Sequence, residues 1–125
     1  MNRLIHHIVL MLIATGLTIP AVQSEALSGA QLYDIACEAC HSLKSAPGHR
    51  VGPPLGNLLD RKAATIEGYR YSEALRASEW TWTLPTLLAW LSDPDTAIPN
   101  NAMNYVNALT AQESQRLAEW LLQQP

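Results

Sequence analysis

The 125-residue chain contains no phenylalanine. Four tryptophans and four tyrosines must therefore supply its large aromatic groups, and each brings an N–H or O–H that needs a partner once buried. Charge is also scarce. Asp, Glu, Lys and Arg make up 15% of the residues and the formal net charge is −3. No basic stripe is present, which argues against a nucleic-acid partner. Two cysteines are too few for a fold built on disulfides. No apolar run approaches the ~20 residues of a bilayer-spanning helix, and repeats, low-complexity tracts, linkers and alternating strand patterns are all missing. What is present is a 48% hydrophobic chain of single-domain length, which excludes intrinsic disorder.

The first residues read as an address. Arg3 is the sole charge before Glu25, Ile8 to Ile19 is almost wholly apolar, and Pro20 is followed by Ala21-Val22-Gln23-Ser24. A charged start, a short apolar core of ~12 residues and a small-residue cleavage site describe a secretory signal peptide. Residues 1–24 are expected to be removed, leaving 25–125 as the domain, exported to the periplasm with no membrane span. An uncleaved anchor is the rival reading. The processed chain keeps seven basic residues against eleven acidic ones, a net of −4. It keeps two histidines, His41 and His49, and one methionine, Met103.

Helical signals punctuate the rest. Ser28 can cap a helix over about Gly29 to Ala39, with Leu32, Ile35 and Ala36 at helical spacing. A short helix fits Ser72 to Ala77. Another starts at Thr83 with Pro85 in its first turn and stops at Asp93-Pro94, since the residue before proline avoids helical angles. Thr110, three residues ahead of Glu113, opens a last helix with Leu117, Trp120 and Leu121 as its apolar stripe. The remainder, Leu43 to Leu59 and Asp95 to Leu109, reads as two long loops. The expected class is all-α. Loops of this length in a small domain call for a purpose, and wrapping a large apolar cofactor would supply one.

Cys37-Glu38-Ala39-Cys40-His41 names that cofactor. C-x-x-C-H is the c-type haem attachment signature: two thiols add across the haem vinyl groups, and the adjoining imidazole reaches the iron. The rivals are a Cys37–Cys40 disulfide, a thioredoxin-like pair, which lacks its βαβ context, and a zinc site, for which only His49 remains as a further ligand. Met103 is the natural sixth ligand, because His/Met is an established haem pair. His49 and Lys44 leave from the same side as His41 and would have to cross the haem edge.

From Gly29 to Trp120 the chain resembles the class I cytochromes c, especially the mitochondrial cytochrome c and bacterial cytochrome c2 branch. Beyond the motif, the resemblance is carried by Gly52-Pro53-Pro54-Leu55, Arg61-Lys62 preceded by Asp60 in a glycine's place, Gly68-Tyr69-Arg70-Tyr71, Trp82, Ile98-Pro99-Asn100-Asn101-Ala102-Met103, and the pairs Gly29/Tyr33 and Leu117/Trp120. It implies a small all-α fold around one covalent haem c, with Cys37 and Cys40 attached to it and His41 and Met103 on the iron. It further implies that the Pro53 carbonyl accepts from the His41 Nδ1–H, and that Arg61, Tyr71 and Trp82 contact the haem. Several departures stand out. Asn100 replaces a glycine. Trp90 stands where relatives have a tyrosine whose hydroxyl approaches the methionine sulfur, which puts that contact in question. Leu75 replaces an asparagine, suggesting a drier site. The lysine ring around the haem edge is missing, which points to docking through an apolar patch near Ala46, Pro47, Pro54, Ala102 and Tyr105.

These readings converge on a monomeric, non-enzymatic, single-haem electron carrier working between redox proteins. A dedicated haem subunit or acceptor of a periplasmic dehydrogenase, a gas-binding haem sensor and a haem peroxidase are the alternatives. Changing both Cys37 and Cys40 to alanine is expected to abolish covalent haem, and either single change to leave at most one thioether. Haem staining of denatured, acid-acetone-extracted protein checks this: no stain in the unaltered chain would refute the attachment.

Overall fold

The computed structural model describes residues 25–44 and 50–125. The leader, with its cleavage site, and Ala46, Pro47 and His49 lie outside the described residues. The described residues form five helices in chain order: α1 (Gly29–Ala36), α2 (Glu73–Ala77), α3 (Leu84–Ser92), α4 (Pro94–Ala97) and α5 (Ala111–Leu121). Among the described residues there is no strand, only an isolated antiparallel bridge between Lys62 and Thr81. No helix of the described residues is long and apolar enough to cross a membrane.

The helix starts are chemically explicit. Ser28, Thr83 and Thr110 each close a capping box with the residue three positions on, satisfying first-turn N–H groups that have no partner within the helix. The ends were less legible. α1 stops at Ala36, three residues before the expected Ala39, and the Cys37–Cys40 segment is a turn. Its amides stay satisfied, with Cys37 and Glu38 N–H donating to Tyr33 O (2.8 and 3.0 Å) and His41 N–H to Cys37 O (2.9 Å). Asp93-Pro94 is more than a stop signal. Asp93 accepts from the amides of Asp95 and Thr96, and Pro94 begins α4. An acidic cap followed by an N1 proline starts a helix as effectively as the same dipeptide ends one.

The core is the crossing of α1 and α5, with Leu32, Leu117 and Leu121 fully buried. Leu87, Trp90 and Leu91 of α3 complete it. Gly29, Leu32 and Tyr33 form the buried face of α1 and Ala36 packs against the core, so of the expected Leu32, Ile35 and Ala36 only Ile35 turns outward, at 67% exposed. The crossing explains the rotation. The Tyr33 and Trp120 rings pack 5.6 Å apart, and a Cβ on Gly29 would lie 2.2 Å from the Trp120 Cβ. Arg116 adds a tie across the crossing, its Nε donating to Leu27 O at 3.0 Å.

Gly29→Ala is therefore expected to cost roughly 2–3 kcal/mol by overpacking. In a domain of this size that lowers the melting temperature by about 8–20 °C. Trp120→Leu in the same chain should recover part of the loss. An unchanged melting curve for Gly29→Ala would show that the helices do not cross at this point.

Candidate functional site

Beneath the helix crossing lie two adjoining cavities, of about 230 and 60 Å³. Ala36, His41, Trp90, Met103 and Tyr105 line both, so the two form one recess. Cys40 lines the outer part and buried Cys37 the inner. The two cysteines are not joined in a disulfide. Burial, and then the neighbouring Cys40, push the Cys37 thiol up to about 11, so before attachment to a haem it is a neutral SH.

His41 is fixed from two sides. Its Nδ1 lies 2.7 Å from the Pro53 carbonyl, and because a carbonyl only accepts, Nδ1 carries the hydrogen and Nε2 keeps its lone pair. Burial lowers the imidazole pKa against the opposing effect of that hydrogen bond, which favours the neutral, metal-binding form. The His41 carbonyl accepts from the Tyr33 hydroxyl at 2.9 Å, tying the motif back to α1. Gly52 supplies the room: a Cβ there would sit 2.2 Å from the His41 Cε1.

Met103 stands in the loop between α4 and α5, and its sulfur accepts from the Trp90 indole N–H at 3.1 Å. The contact that the missing tyrosine hydroxyl put in question is thus made by an indole N–H. Asn100, in the glycine's place, takes φ 64°, and Asp60, in the other, φ 58°. Both sit in the left-handed region where short polar side chains are the best substitutes for glycine.

The remaining predicted contacts divide. Tyr71 lines the outer cavity, and its hydroxyl accepts from Ile66 N–H at 3.4 Å. Trp82 is buried on the inner cavity, edge-on to Trp80 and Trp90 at 6.3 and 5.7 Å. Arg61 lines neither cavity. Its guanidinium donates to Gly56 O (2.7 Å) and Pro54 O (3.3 Å), bracing the loop that presents Pro53. Arg70, which sequence reasoning passed over, is the only formally charged residue lining either cavity among the described residues. In sequence it sits plainly inside Gly68-Tyr69-Arg70-Tyr71, but surface exposure is the ordinary fate of an arginine. Leu75 lines the outer cavity, as a drier site requires. Of the expected docking patch, Ala102 and Tyr105 are at the cavity, whereas Pro54 is buried, its carbonyl accepting from the Arg61 guanidinium.

Two cysteines, a neutral imidazole with a free Nε2, a thioether and a mostly apolar recess fit a covalent haem. The family profile described as Cytochrome c matches residues 26–125. The chain belongs to the cytochrome c family. This cytochrome is 34% identical to cytochrome c2 of Blastochloris viridis over 83% of its own length and 81% of the relative's. It is 38% identical to cytochrome c2 iso-2 of Magnetospirillum molischianum over 68% and 87%. Among solved structures it is similar to cytochrome cH from Methylobacterium extorquens, with a TM-score of 0.68 at 29% identity, covering 74% of this chain and 92% of that one. The fold is accordingly that of a small class I cytochrome c. It binds haem c covalently and carries electrons; it is not an enzyme.

Gly52→Ala is expected to displace the His41 ring from Pro53, since neither the imidazole nor the backbone can clear a 2.2 Å approach without shifting. In the haem-loaded protein this should appear as altered chemical shifts of the imidazole and a stability loss of roughly 2–3 kcal/mol. An unperturbed imidazole would mean that the close approach does not fix the ring.

Proposed function

We propose that this cytochrome is a periplasmic one-electron carrier in which Cys37 and Cys40 hold the haem and His41 and Met103 fill both axial positions of its iron. Haem iron held there would supply the chemistry, the exchange of one electron between its ferric and ferrous states. The observation that carries the reading is the Trp90 N–H on the Met103 sulfur. A thioether sulfur has two lone pairs, so the indole occupies one and orients the other. Pro53 does the equivalent for His41, holding the hydrogen on Nδ1 and strengthening Nε2 as a donor.

With His41 and Met103 both ligating the iron, no site would be left for a substrate or a gas. Methionine ligation in apolar surroundings favours the ferrous state and raises the potential. The recess walls (Leu75, Trp90 and Tyr105 among them) exclude water, which limits rearrangement when the charge changes. Tyr71 and Arg70 are the partners best placed for the haem carboxylates, Arg70 being the one cation of the lining among the described residues. Export follows from residues 1–24, read as a cleaved signal peptide. The partners are redox proteins that accept a surface poor in lysine around Ala102 and Tyr105, in line with the net of −4 for residues 25–125.

Met103→Ala is expected to open the iron. The methionine-to-iron charge-transfer absorption should vanish, and the ferrous protein should bind carbon monoxide, whereas the unaltered protein binds none and gives one reversible one-electron wave. Carbon monoxide binding by the unaltered protein would overturn the assignment.

A further inference from the structure

Met103 lies outside any helix, on a loop whose surface residues Asn100, Ala102 and Asn104 are exposed. One side chain holds that loop in register. The Asn101 Oδ1 accepts from the Met103 backbone N–H at 2.7 Å. The same amide's Nδ2 donates to Ile98 O at 3.0 Å and to the Asp95 carboxylate at 3.1 Å. Its orientation is dictated, because the Oδ1 face meets a donor and the Nδ2 face meets two acceptors. Each far end is itself anchored. Ile98 is buried in the core, and Asp95 is in α4, where its backbone N–H donates to the Asp93 cap. Asn101 therefore connects the backbone of Met103 directly to α4 and the core, in a stretch with no helical hydrogen bonds of its own. Aspartate could not supply the two donors, and serine or threonine would have only one.

We propose that Asn101 is a positioning residue for Met103: its amide fixes the reach of the thioether into the recess and so governs how readily the sixth ligand is released. The proposal rests on Met103 being an iron ligand. The removal of two to three net hydrogen bonds of ordinary strength predicts methionine release faster by about tenfold to a hundredfold. Asp95→Ala removes only the solvent-exposed arm and should raise the rate by about threefold or less. Asn101→Asp keeps the acceptor for Met103, loses both donors and sets a carboxylate against Asp95. Adding Asp95→Asn returns one donor to the pair and removes the like-charge contact, so the double variant should regain part of the loss.

The test is imidazole binding to the ferric haem-loaded protein, followed by stopped flow at saturating imidazole, where methionine release limits the rate. The methionine charge-transfer absorption is recorded alongside. Support is a faster limiting rate in Asn101→Ala and Asn101→Asp, with recovery in Asp95→Asn/Asn101→Asp. An unchanged rate in all variants, with the absorption present in the unaltered protein, overturns the role of Asn101 and leaves the ligand assignment standing. If Asn101→Ala fails to assemble, Asn101→Asp and Asp95→Asn/Asn101→Asp decide by the same criterion. Absence of the absorption from the unaltered protein overturns the ligand assignment, and this proposal with it.

Discussion

The hydrogen bond from His41 Nδ1 to the Pro53 carbonyl is the constraint around which the rest of this cytochrome is arranged. It fixes the tautomer, leaves Nε2 for a metal, and demands that residues 50–56 pass close to the imidazole. That passage explains Gly52, whose missing side chain admits the ring. It also explains Arg61, whose guanidinium is spent on the carbonyls of Pro54 and Gly56. Further ties, Leu55 N–H to Ser42 O and Gly56 N–H to Leu43 O, both at 2.8 Å, bind the loop to the chain just after the motif. An irregular segment becomes a rigid wall because its polar backbone is satisfied from several directions.

The lack of phenylalanine has a structural counterpart. Aromatic residues with polar ends fill the positions where a plain ring would serve for packing alone, and their ends tie loops together. Tyr33 reaches the His41 carbonyl, Tyr69 the Val51 carbonyl at 2.7 Å, and Tyr105 the Asn107 amide at 3.1 Å. Burial raises the phenol pKa of Tyr33, Tyr71 and Tyr105, so these hydroxyls keep their hydrogens through the physiological range. Trp90 does the same for sulfur. A small chain thus gains core volume and loop tethers from the same residues.

The fold class, the capped helix starts and the C-x-x-C-H motif were legible because each is encoded locally, in a capping pair or a fixed spacing. Other features depended on three-dimensional neighbours. The early end of α1 and the outward turn of Ile35 follow from the α1–α5 crossing, where Gly29 and Tyr33 must face Trp120. The α4 turn was hidden because Asp-Pro both stops and starts helices. The Trp90 contact could be phrased as a question from the substitution, but only geometry shows an indole N–H reaching the sulfur. Arg61 and Arg70 are indistinguishable by residue type. Their separation into a loop brace and a cavity residue is set by the path of the chain.

The central claim is that Met103 and a histidine held by Pro53 would together ligate the haem iron. Methionine methyl labelling tests it directly, since Met103 is the only methionine in residues 25–125. The spectrum of the ferrous, haem-loaded protein should contain a Met103 methyl resonance shifted far upfield by the haem ring current, identified by its loss in a Met103 variant. A Met103 methyl at its ordinary position, with the haem covalently attached, would contradict the account.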